Sequence, residues 1–115
     1  MQQDCVFCKI VNKEIPATIL YEDDMVVAFP DINPGAPVHI LLIPKKHIAN
    51  LLEATEEDQE ILKHLMATVP LIAKQAGLDE DGFRTVINTK DNGGQTVHHL
   101  HLHILGGRFM NWPPG

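Results

Sequence analysis

Residues 97–105 read Val-His-His-Leu-His-Leu-His-Ile-Leu, and this stretch decides the fold. Side chains of an extended chain alternate between its two faces. His99, His101 and His103 therefore share one face, whereas the other face is mostly apolar and suited to packing against a helix. The alternation predicts a strand that covers a core on one side and carries a functional site on the other.

Two kinds of chemistry could use this row of histidines. Imidazoles ligate metal ions, as in an open catalytic zinc site. A neutral imidazole is also a good nucleophile for phosphorus near neutral pH. The preceding residues 93–96, Gly-Gly-Gln-Thr, favour a phosphate ligand. Glycines let backbone N–H groups approach an anion closely, and the Gln and Thr side chains add donors.

The rest of the chain supplies a sheet and one long helix. Thr55 and Asp58 have the spacing of a capping box, and a helical period runs from there to Gly77, which is suited to end a helix. The patterns predict a short helix at 5–13 and strands at 18–21, 25–29, 38–43, 84–88 and 97–105. The order β-β-β-α-β-β predicts an α+β fold with a five-stranded antiparallel sheet, one long helix and a short N-terminal helix, as a single domain over residues 1–115.

Composition excludes several classes of protein. The chain has 115 residues, of which 44% are hydrophobic, as in folded globular proteins. A net charge of -6 argues against a broad electrostatic grip on nucleic acid. No apolar run approaches the roughly 18–20 residues of a membrane span, and the start lacks the pattern of a secretory signal. We therefore expect a cytoplasmic protein that binds neither nucleic acid nor membranes.

Several motifs resemble the histidine triad (HIT) family. Residues 99–105 fit its His-φ-His-φ-His-φ-φ signature, where φ is apolar, and 15–17, 22–24, 43–48 and 93–95 are also similar to it. The tail, at 105–108 and 112–115, resembles the Hint branch, the histidine triad nucleotide-binding proteins. The resemblance implies a HIT-like sheet extended across a homodimer. It also implies a purine nucleoside phosphoramidase, which hydrolyses the P–N bond of substrates like adenosine 5′-phosphoramidate.

The resemblance assigns roles to individual residues. It implies that His101 is the nucleophile that becomes nucleotidylated, that His103 contacts the phosphate, and that His39 supports the ring of His101. Thr96 would donate to the phosphate or to the leaving nitrogen. Catalysis would need no cofactor. The implied nucleotide contacts are Asp31, Ile32, Asn88, Gly94, Gln95, Thr96, His101 and His103.

A second site is implied by Cys5 and Cys8. Some family members hold a structural zinc with such a pair, and here the set would be completed by His47 and His99. Two thiolates and two imidazoles form a ligand class of structural zinc sites. Such a site would tie the N-terminal segment to the histidine strand.

Three alternatives to the phosphoramidase stay open. One is a dinucleoside-polyphosphate hydrolase or nucleotidyl transferase of the same family. Another is a nucleotide-binding adaptor protein whose turnover is incidental. The third is a metalloenzyme whose catalytic ion is held by the three histidines of the strand.

Overall fold

Five antiparallel strands form one sheet in the order β1-β2-β3-β5-β4. The structure, a computed structural model, describes residues 5–115. The sequence interpretation of the first four residues, as lacking a secretory signal, lies outside the described residues. The strands are β1 (Tyr21–Glu22), β2 (Val26–Pro30), β3 (Val38–Pro44), β4 (Phe83–Ile87) and β5 (Leu102–Gly106), and the helices are α1 (Val6–Val11), α2 (Gln59–Gln75) and α3 (Lys90–Gly93). The predicted α+β fold is confirmed.

The sheet is covered by a helix on each face. The long helix α2 packs on one face, where Leu65 and Ile72 are each 1% exposed. The short helix α1 packs on the other face through Phe7 and Ile10. Alternation along β3 separates the two layers, since Leu42 joins the first and Leu41 the second. The histidine row therefore lies on the α1 side of the sheet.

The capping box predicted to begin the long helix is present, but it lies one 3₁₀ turn ahead of α2. The backbone N–H of Thr55 donates to the carboxylate of Asp58, and Asp58 closes a single 3₁₀ turn, Glu56–Asp58, ahead of α2. Pro70 lies inside α2, and Gly77 follows its end with φ +75°. Within residues 5–115, no helix has both the length and the apolar character needed to cross a bilayer.

The structure corrects the predicted strand over residues 97–105. The last strand begins only at Leu102, because β3 ends at Pro44, which has no N–H to offer a ladder. Residues 97–101 are held by irregular bonds instead, such as the N–H of Leu100 donating to the carbonyl of Ile48. The faces still alternate: His99 and His101 are buried on the α1 side, and Leu100 joins the core beneath α2.

The connection before this segment is also more ordered than predicted. The sequence indicates a plain loop over residues 89–95, whereas residues 90–93 form the short helix α3. Gly94 follows it with φ +79°, a conformation that glycine adopts without strain. The short helix α3 and Gly94 therefore determine the direction in which the chain enters residues 97–101.

Candidate active site and metal cluster

A pocket of about 640 Å³ opens beside the histidine row. One part of its wall is apolar and comes from α1, from the segment that follows it and from the sheet. The polar part includes Asp31, Thr96, His101 and His103. The apolar lining comprises Val6, Phe7, Ile10, Ile15, Pro16, Ala17, Phe29, Pro30, Ile32, Leu41 and Val97. A cleft with an apolar wall and a few convergent polar groups is typical of a small-molecule site.

Within residues 5–115, one ring nitrogen of His101 has a hydrogen-bond partner and the other is free. Its Nδ1 lies 2.7 Å from the carbonyl oxygen of His99. A carbonyl only accepts, so Nδ1 carries the proton and donates, which leaves the lone pair on Nε2. The ring is 5% exposed, and burial lowers its pKa below the usual value for histidine. His101 is thus a neutral imidazole whose unengaged nitrogen has the lone pair of a nucleophile.

His39 contacts His103, not His101. The backbone N–H of Gly35 donates to Nδ1 of His39 over 2.9 Å, so the proton of this ring is on Nε2. That Nε2 lies 2.9 Å from Nδ1 of His103 and donates to it. The expected support of the His101 ring by His39 is therefore corrected: the His99 carbonyl takes that place.

This chain of bonds makes His103 a donor toward the pocket. Since its Nδ1 accepts from His39, its own proton is on Nε2. The Nδ2 of Asn88, 3.5 Å away, is itself a donor and does not accept from this N–H. Burial, together with the nearby His101 and His39, lowers the pKa of His103 to about 4. The ring is neutral at pH 7 and offers an N–H to an oxygen ligand.

The remaining predicted ligand residues fall into two groups. Asp31, Ile32 and Thr96 line the pocket, and Ile32 is 92% exposed above it. Gly94 and Gln95 do not line it. The backbone N–H of Gln95 donates to the carbonyl of Lys90, and its side-chain amide donates to the carbonyls of Ala49 and Val97. Gln95 therefore holds the segments around the site together. Its N–H groups are all engaged in these bonds, so none is left to make the predicted contact with a ligand.

The four predicted zinc ligands lie together behind the histidine row. Nδ1 of His99 is 3.3 Å from Sγ of Cys5, 3.6 Å from Sγ of Cys8 and 3.2 Å from Nδ1 of His47. Nδ1 of His47 is 3.3 Å from Sγ of Cys8. Tetrahedral zinc, with bonds of about 2.3 Å to sulfur and about 2.05 Å to nitrogen, requires separations of roughly 3.6 Å between S and N and 3.3 Å between two N. The donor set fits the ion.

The protonation of the cluster agrees with metal binding. Nε2 of His99 donates to the carbonyl of Pro44 over 2.8 Å, so Nδ1, the nitrogen that faces the thiols, has the lone pair. A backbone acceptor for the second ring nitrogen is the usual way in which a ligating histidine is oriented. Burial raises the pKa of the Cys8 thiol to about 11. A bound cation reverses this rise in pKa, because a thiol that coordinates a metal loses its proton.

The three triad histidines do not share one metal position. In the described part of the chain, His99 groups with the cysteines, and His103 groups with Asp31 and His39. The second group is poorly suited to a cation. A metal on Nε2 of His39 would move the ring proton to Nδ1, which already accepts from the Gly35 N–H. The metalloenzyme alternative is thus disfavoured by the donors themselves.

Sequence reasoning missed three contributors to the site. Phe7 and Ile10 line the pocket, although their apolar pattern predicts only the packing of a short helix. The N–H of Gly35 fixes the His39 tautomer, and no sequence pattern reveals a backbone donor. A proline- and glycine-rich turn directly before His39 was the one available signal.

Comparison with known proteins identifies the family. A sheet with a histidine row at a pocket defines the histidine triad class, and residues 12–110 match the HIT domain. The chain belongs to the HIT domain family, which confirms the resemblance found in the sequence.

Relatives are similar over nearly the whole chain. A 14 kDa zinc-binding protein of Brassica juncea is 56% identical over 114 residues, covering 97% of this chain and 100% of the relative. A protein named adenylylsulfatase HINT1, of Arabidopsis thaliana, is 54% identical over 112 residues, covering 96% of this chain and 76% of the relative. The crystal structure of a HIT family hydrolase from Legionella pneumophila superposes with a TM-score of 0.94 at 50% identity, covering 97% and 100%.

Proposed function

We propose that this chain hydrolyses purine nucleoside phosphoramidates through a covalent nucleotidyl-histidine at His101. The observation that carries the proposal is the bond from Nδ1 of His101 to the carbonyl of His99, which leaves the lone pair of a neutral ring on Nε2. The names of similar proteins, a HIT family hydrolase and an adenylylsulfatase, support a hydrolase that acts at an adenylyl phosphorus. We further propose that residues 1–115 act as one HIT domain. The cytoplasm is the proposed compartment, since the two free thiols suit a reducing one.

The first step forms a bond between Nε2 of His101 and the α-phosphorus. The P–N bond of the substrate breaks, and the leaving nitrogen keeps the electron pair of this bond and takes a proton from solvent. Positive charge that develops on the His101 ring is stabilised through its Nδ1–H by the His99 carbonyl. The N–H of His103 and the hydroxyl of Thr96 are donors suited to the phosphate oxygens.

The second step releases the nucleotide. Water attacks the phosphorus, and the bond to Nε2 breaks. One proton of the water stays on the new P–OH group, and the other passes to solvent. The products are a nucleoside monophosphate and the free enzyme. The carboxylate of Asp31 is an acceptor suited to ribose hydroxyls, and the apolar wall is suited to the base.

The metal cluster has a structural part in this scheme. Zinc held by Cys5, Cys8, His47 and His99 would cross-link the N-terminal helix to the residues before β5. The name of the Brassica juncea relative supports zinc as the ion. The side chains proposed to react with or bind the substrate are not metal ligands, so we propose that turnover requires no cofactor.

A second candidate substrate is adenylylsulfate, favoured by the name of the Arabidopsis thaliana relative. It shares the adenylyl group with the phosphoramidate and differs only in the leaving group. The same His101 intermediate would therefore form, and sulfate would leave without taking a proton. A dinucleoside-polyphosphate hydrolase would also pass through it, whereas a nucleotide-binding adaptor would not depend on it.

Intact mass after rapid mixing with adenosine 5′-phosphoramidate tests the proposal. We expect one adenylyl group on wild-type protein, located at His101 by peptide mapping. His101→Ala is expected to lose the adduct and at least about a thousandfold in rate, because the nucleophile is removed. It should still bind AMP.

The exposed neighbour His98 provides the matched control. His98→Ala is expected to keep the wild-type adduct and rate, since this side chain lies outside the pocket lining. Turnover by His101→Ala at the wild-type rate, or an adduct on another residue, would show that the mechanism is wrong. Parallel reactions with adenylylsulfate and with diadenosine polyphosphate rank the candidate substrates by kcat/KM.

A further inference from the structure

We infer that helix α1 couples the metal cluster to the nucleotide pocket, so that zinc and nucleotide each strengthen the binding of the other. The inference rests on the proposed function, because it takes the pocket beside His101 as the nucleotide site. It assigns α1 a regulatory role, in which zinc availability sets the affinity for nucleotide.

The two sites share the first turn of α1. Cys5 caps the helix and Cys8 lies one turn later, and both thiols belong to the metal cluster. Val6 and Phe7, the two residues between them, line the pocket, as does Ile10 on the next turn. A movement of this turn therefore changes both sites at once.

The ring of Phe7 contacts one histidine of each site. Its centroid lies 5.9 Å from the ring of His99, a cluster residue, at an interplanar angle of 71°. It lies 5.2 Å from the ring of the proposed nucleophile, His101, at 88°. Edge-to-face contacts of this kind are favourable, so the buried Phe7 holds both imidazoles against the sheet.

A second link runs through His99 itself. Its Nδ1 faces the thiols, while its backbone carbonyl accepts the proton of His101 Nδ1. Fixing the His99 ring in the cluster therefore also fixes the acceptor that orients the nucleophile. The ring and backbone of one residue thus serve the two sites.

Within residues 5–115, the first turn of α1 is held by the cysteine thiols and by the packing of Phe7. A six-residue helix has no appreciable stability by itself. Its cap is the sulfur of Cys5, which accepts from the N–H of Cys8 over 3.3 Å, and sulfur is a weak acceptor. Phe7 and Ile10 hold the helix on the sheet. We therefore expect loss of zinc to loosen the first turn and to leave the sheet folded.

The test is calorimetric titration of AMP into full-length protein, once loaded with Zn²⁺ and once stripped by a chelator. We expect AMP to bind at least about fivefold more tightly to the zinc form, the lower end of typical coupling between sites. Linkage requires the same factor in reverse, so AMP should tighten Zn²⁺ binding equally, as measured by competition with a chromophoric chelator. Neither measurement depends on turnover.

Phe7→Leu examines the path of coupling. It retains all four metal ligands, and we expect zinc content as in wild type but a smaller ratio between the two AMP affinities. Phe109→Leu is the matched control, because Phe109 is 86% exposed and lines neither site. This control is expected to keep the wild-type ratio.

Each further outcome counts against the inference. Equal AMP affinity with and without zinc overturns the coupling while leaving the proposed function intact. An unchanged ratio in Phe7→Leu overturns the path through α1, and so does global unfolding of the stripped protein, seen by circular dichroism. Failure of AMP to bind either form overturns the proposed function, and the coupling with it.

Discussion

Three histidines of the site are each held in one tautomer by a backbone group. The carbonyl of Pro44 accepts from His99, the carbonyl of His99 accepts from His101, and the N–H of Gly35 donates to His39. Backbone groups do not titrate near neutral pH, so they fix which nitrogen of a neutral ring carries the proton. As a result, His99 can bind metal through Nδ1, His101 can attack through Nε2, and His103 donates through Nε2.

Replacement of His39 tests how His103 becomes a donor. In His39→Phe, Nδ1 of His103 loses the proton donor 2.9 Å away, and the ring is free to carry its proton on either nitrogen. We expect kcat to fall about 5- to 150-fold, corresponding to one hydrogen bond of about 1–3 kcal/mol. Nitrogen-15 NMR should show His103 changing from a single tautomer to a mixture.

His98→Phe is the matched control for this variant. It introduces the same ring at an exposed histidine five residues before His103, and its rate and NMR spectrum at His103 should match wild type. A single Nε2–H tautomer in His39→Phe, together with an unchanged kcat, would contradict the assigned role of His39.

At the scale of elements, the metal cluster joins α1 to the segment before β5. We expect about one zinc per chain and a lower melting temperature after its removal, since ligands brought together only in the folded state make metal affinity part of folding stability. Cys5→Ser combined with Cys8→Ser should lose the metal yet keep measurable turnover, because His101 is no ligand. Elemental analysis and thermal denaturation measure both.

Zinc retention by the double variant, or a wild-type protein free of metal after purification with added zinc, would contradict the site. His98→Ala is the control here as well, because this exposed histidine adjoins the ligand His99 in sequence and lies outside the cluster.

A second link between elements ties α2 to the turn between β1 and β2. The Oδ2 of Asp23 lies 2.7 Å from Nε2 of His64 and accepts from the Tyr21 hydroxyl over 2.9 Å, while its Oδ1 accepts from the N–H groups of Met25 and Val26. Burial by itself would raise the pKa of Asp23. The hydrogen bonds outweigh it and hold this pKa well below its usual range.

The sign of this pKa shift gives a pH dependence. A carboxyl with a lower pKa in the folded than in the unfolded state, where it is about 3.9, stabilises the protein above that value and loses the contribution as pH falls below it. We expect Asp23→Asn to lower the free energy of unfolding by about 1–3 kcal/mol at pH 7, because the charged acceptor is lost. The deficit should shrink below about pH 4, as measured by urea denaturation.

Asp79→Asn is the control, since Asp79 is exposed and has no hydrogen bond or ion pair within residues 5–115. It should leave stability at pH 7 within about 0.5 kcal/mol of wild type. A deficit of Asp23→Asn that persists undiminished at pH 3 would contradict a contribution from the carboxylate charge.

Strands were predicted well where the sequence pattern coincides with hydrogen-bonded pairing in the sheet, and less well near the site. Three of the predicted strands, at 25–29, 38–43 and 84–88, lie within one residue of β2, β3 and β4 at either end. The strand at 18–21 meets β1 only at Tyr21, and that at 97–105 starts five residues too early. Side chains still alternate through residues 97–101, but Pro44 has no N–H with which to extend the pairing to them. The pattern of a single sequence does not show which strands will pair, so it could not reveal this.

For the whole molecule, the sheet order leaves β4 at an edge, where no strand within residues 5–115 pairs with its outer side. Exposed strand edges are commonly covered by a partner. On helix α2, Met66 is 57% exposed, whereas Leu65 and Val69 are used in the chain's own core. We expect a homodimer in which the β4 edge and the Met66 side of α2 meet their symmetry mates, with a mass near twice 12.8 kDa in sedimentation.

Met66→Asp is expected to weaken the dimer at least about tenfold, since burying an unpaired carboxylate in an apolar interface is costly. Leu52→Asp is the matched control, because Leu52 is 69% exposed in the turn after β3. A wild-type mass of one chain at micromolar concentration would contradict the dimer.

The candidate site was predictable where a residue's chemistry is unusual for its position. The histidine row and the two cysteines stand out in that way, and the structure brings both sets together. The apolar wall was not predictable, because Phe7 and Ile10 have the same pattern whether they fill a core or line a pocket. The partner of His39 depends on the register that sets Leu41 opposite His103, which arises only when the sheet forms.

Among the residues that the structure describes, 5–115, no lysine or arginine lines the pocket. With His101 and His103 held neutral by burial, the phosphate would be met by N–H and O–H dipoles instead of by full positive charges. Dissolved ions screen attraction between charges over about 8–10 Å at physiological concentrations, but they weaken short contacts with fixed dipoles far less. Nucleotide capture by this protein would therefore change little with ionic strength, and the pocket would distinguish a phosphate ester from other anions by its shape.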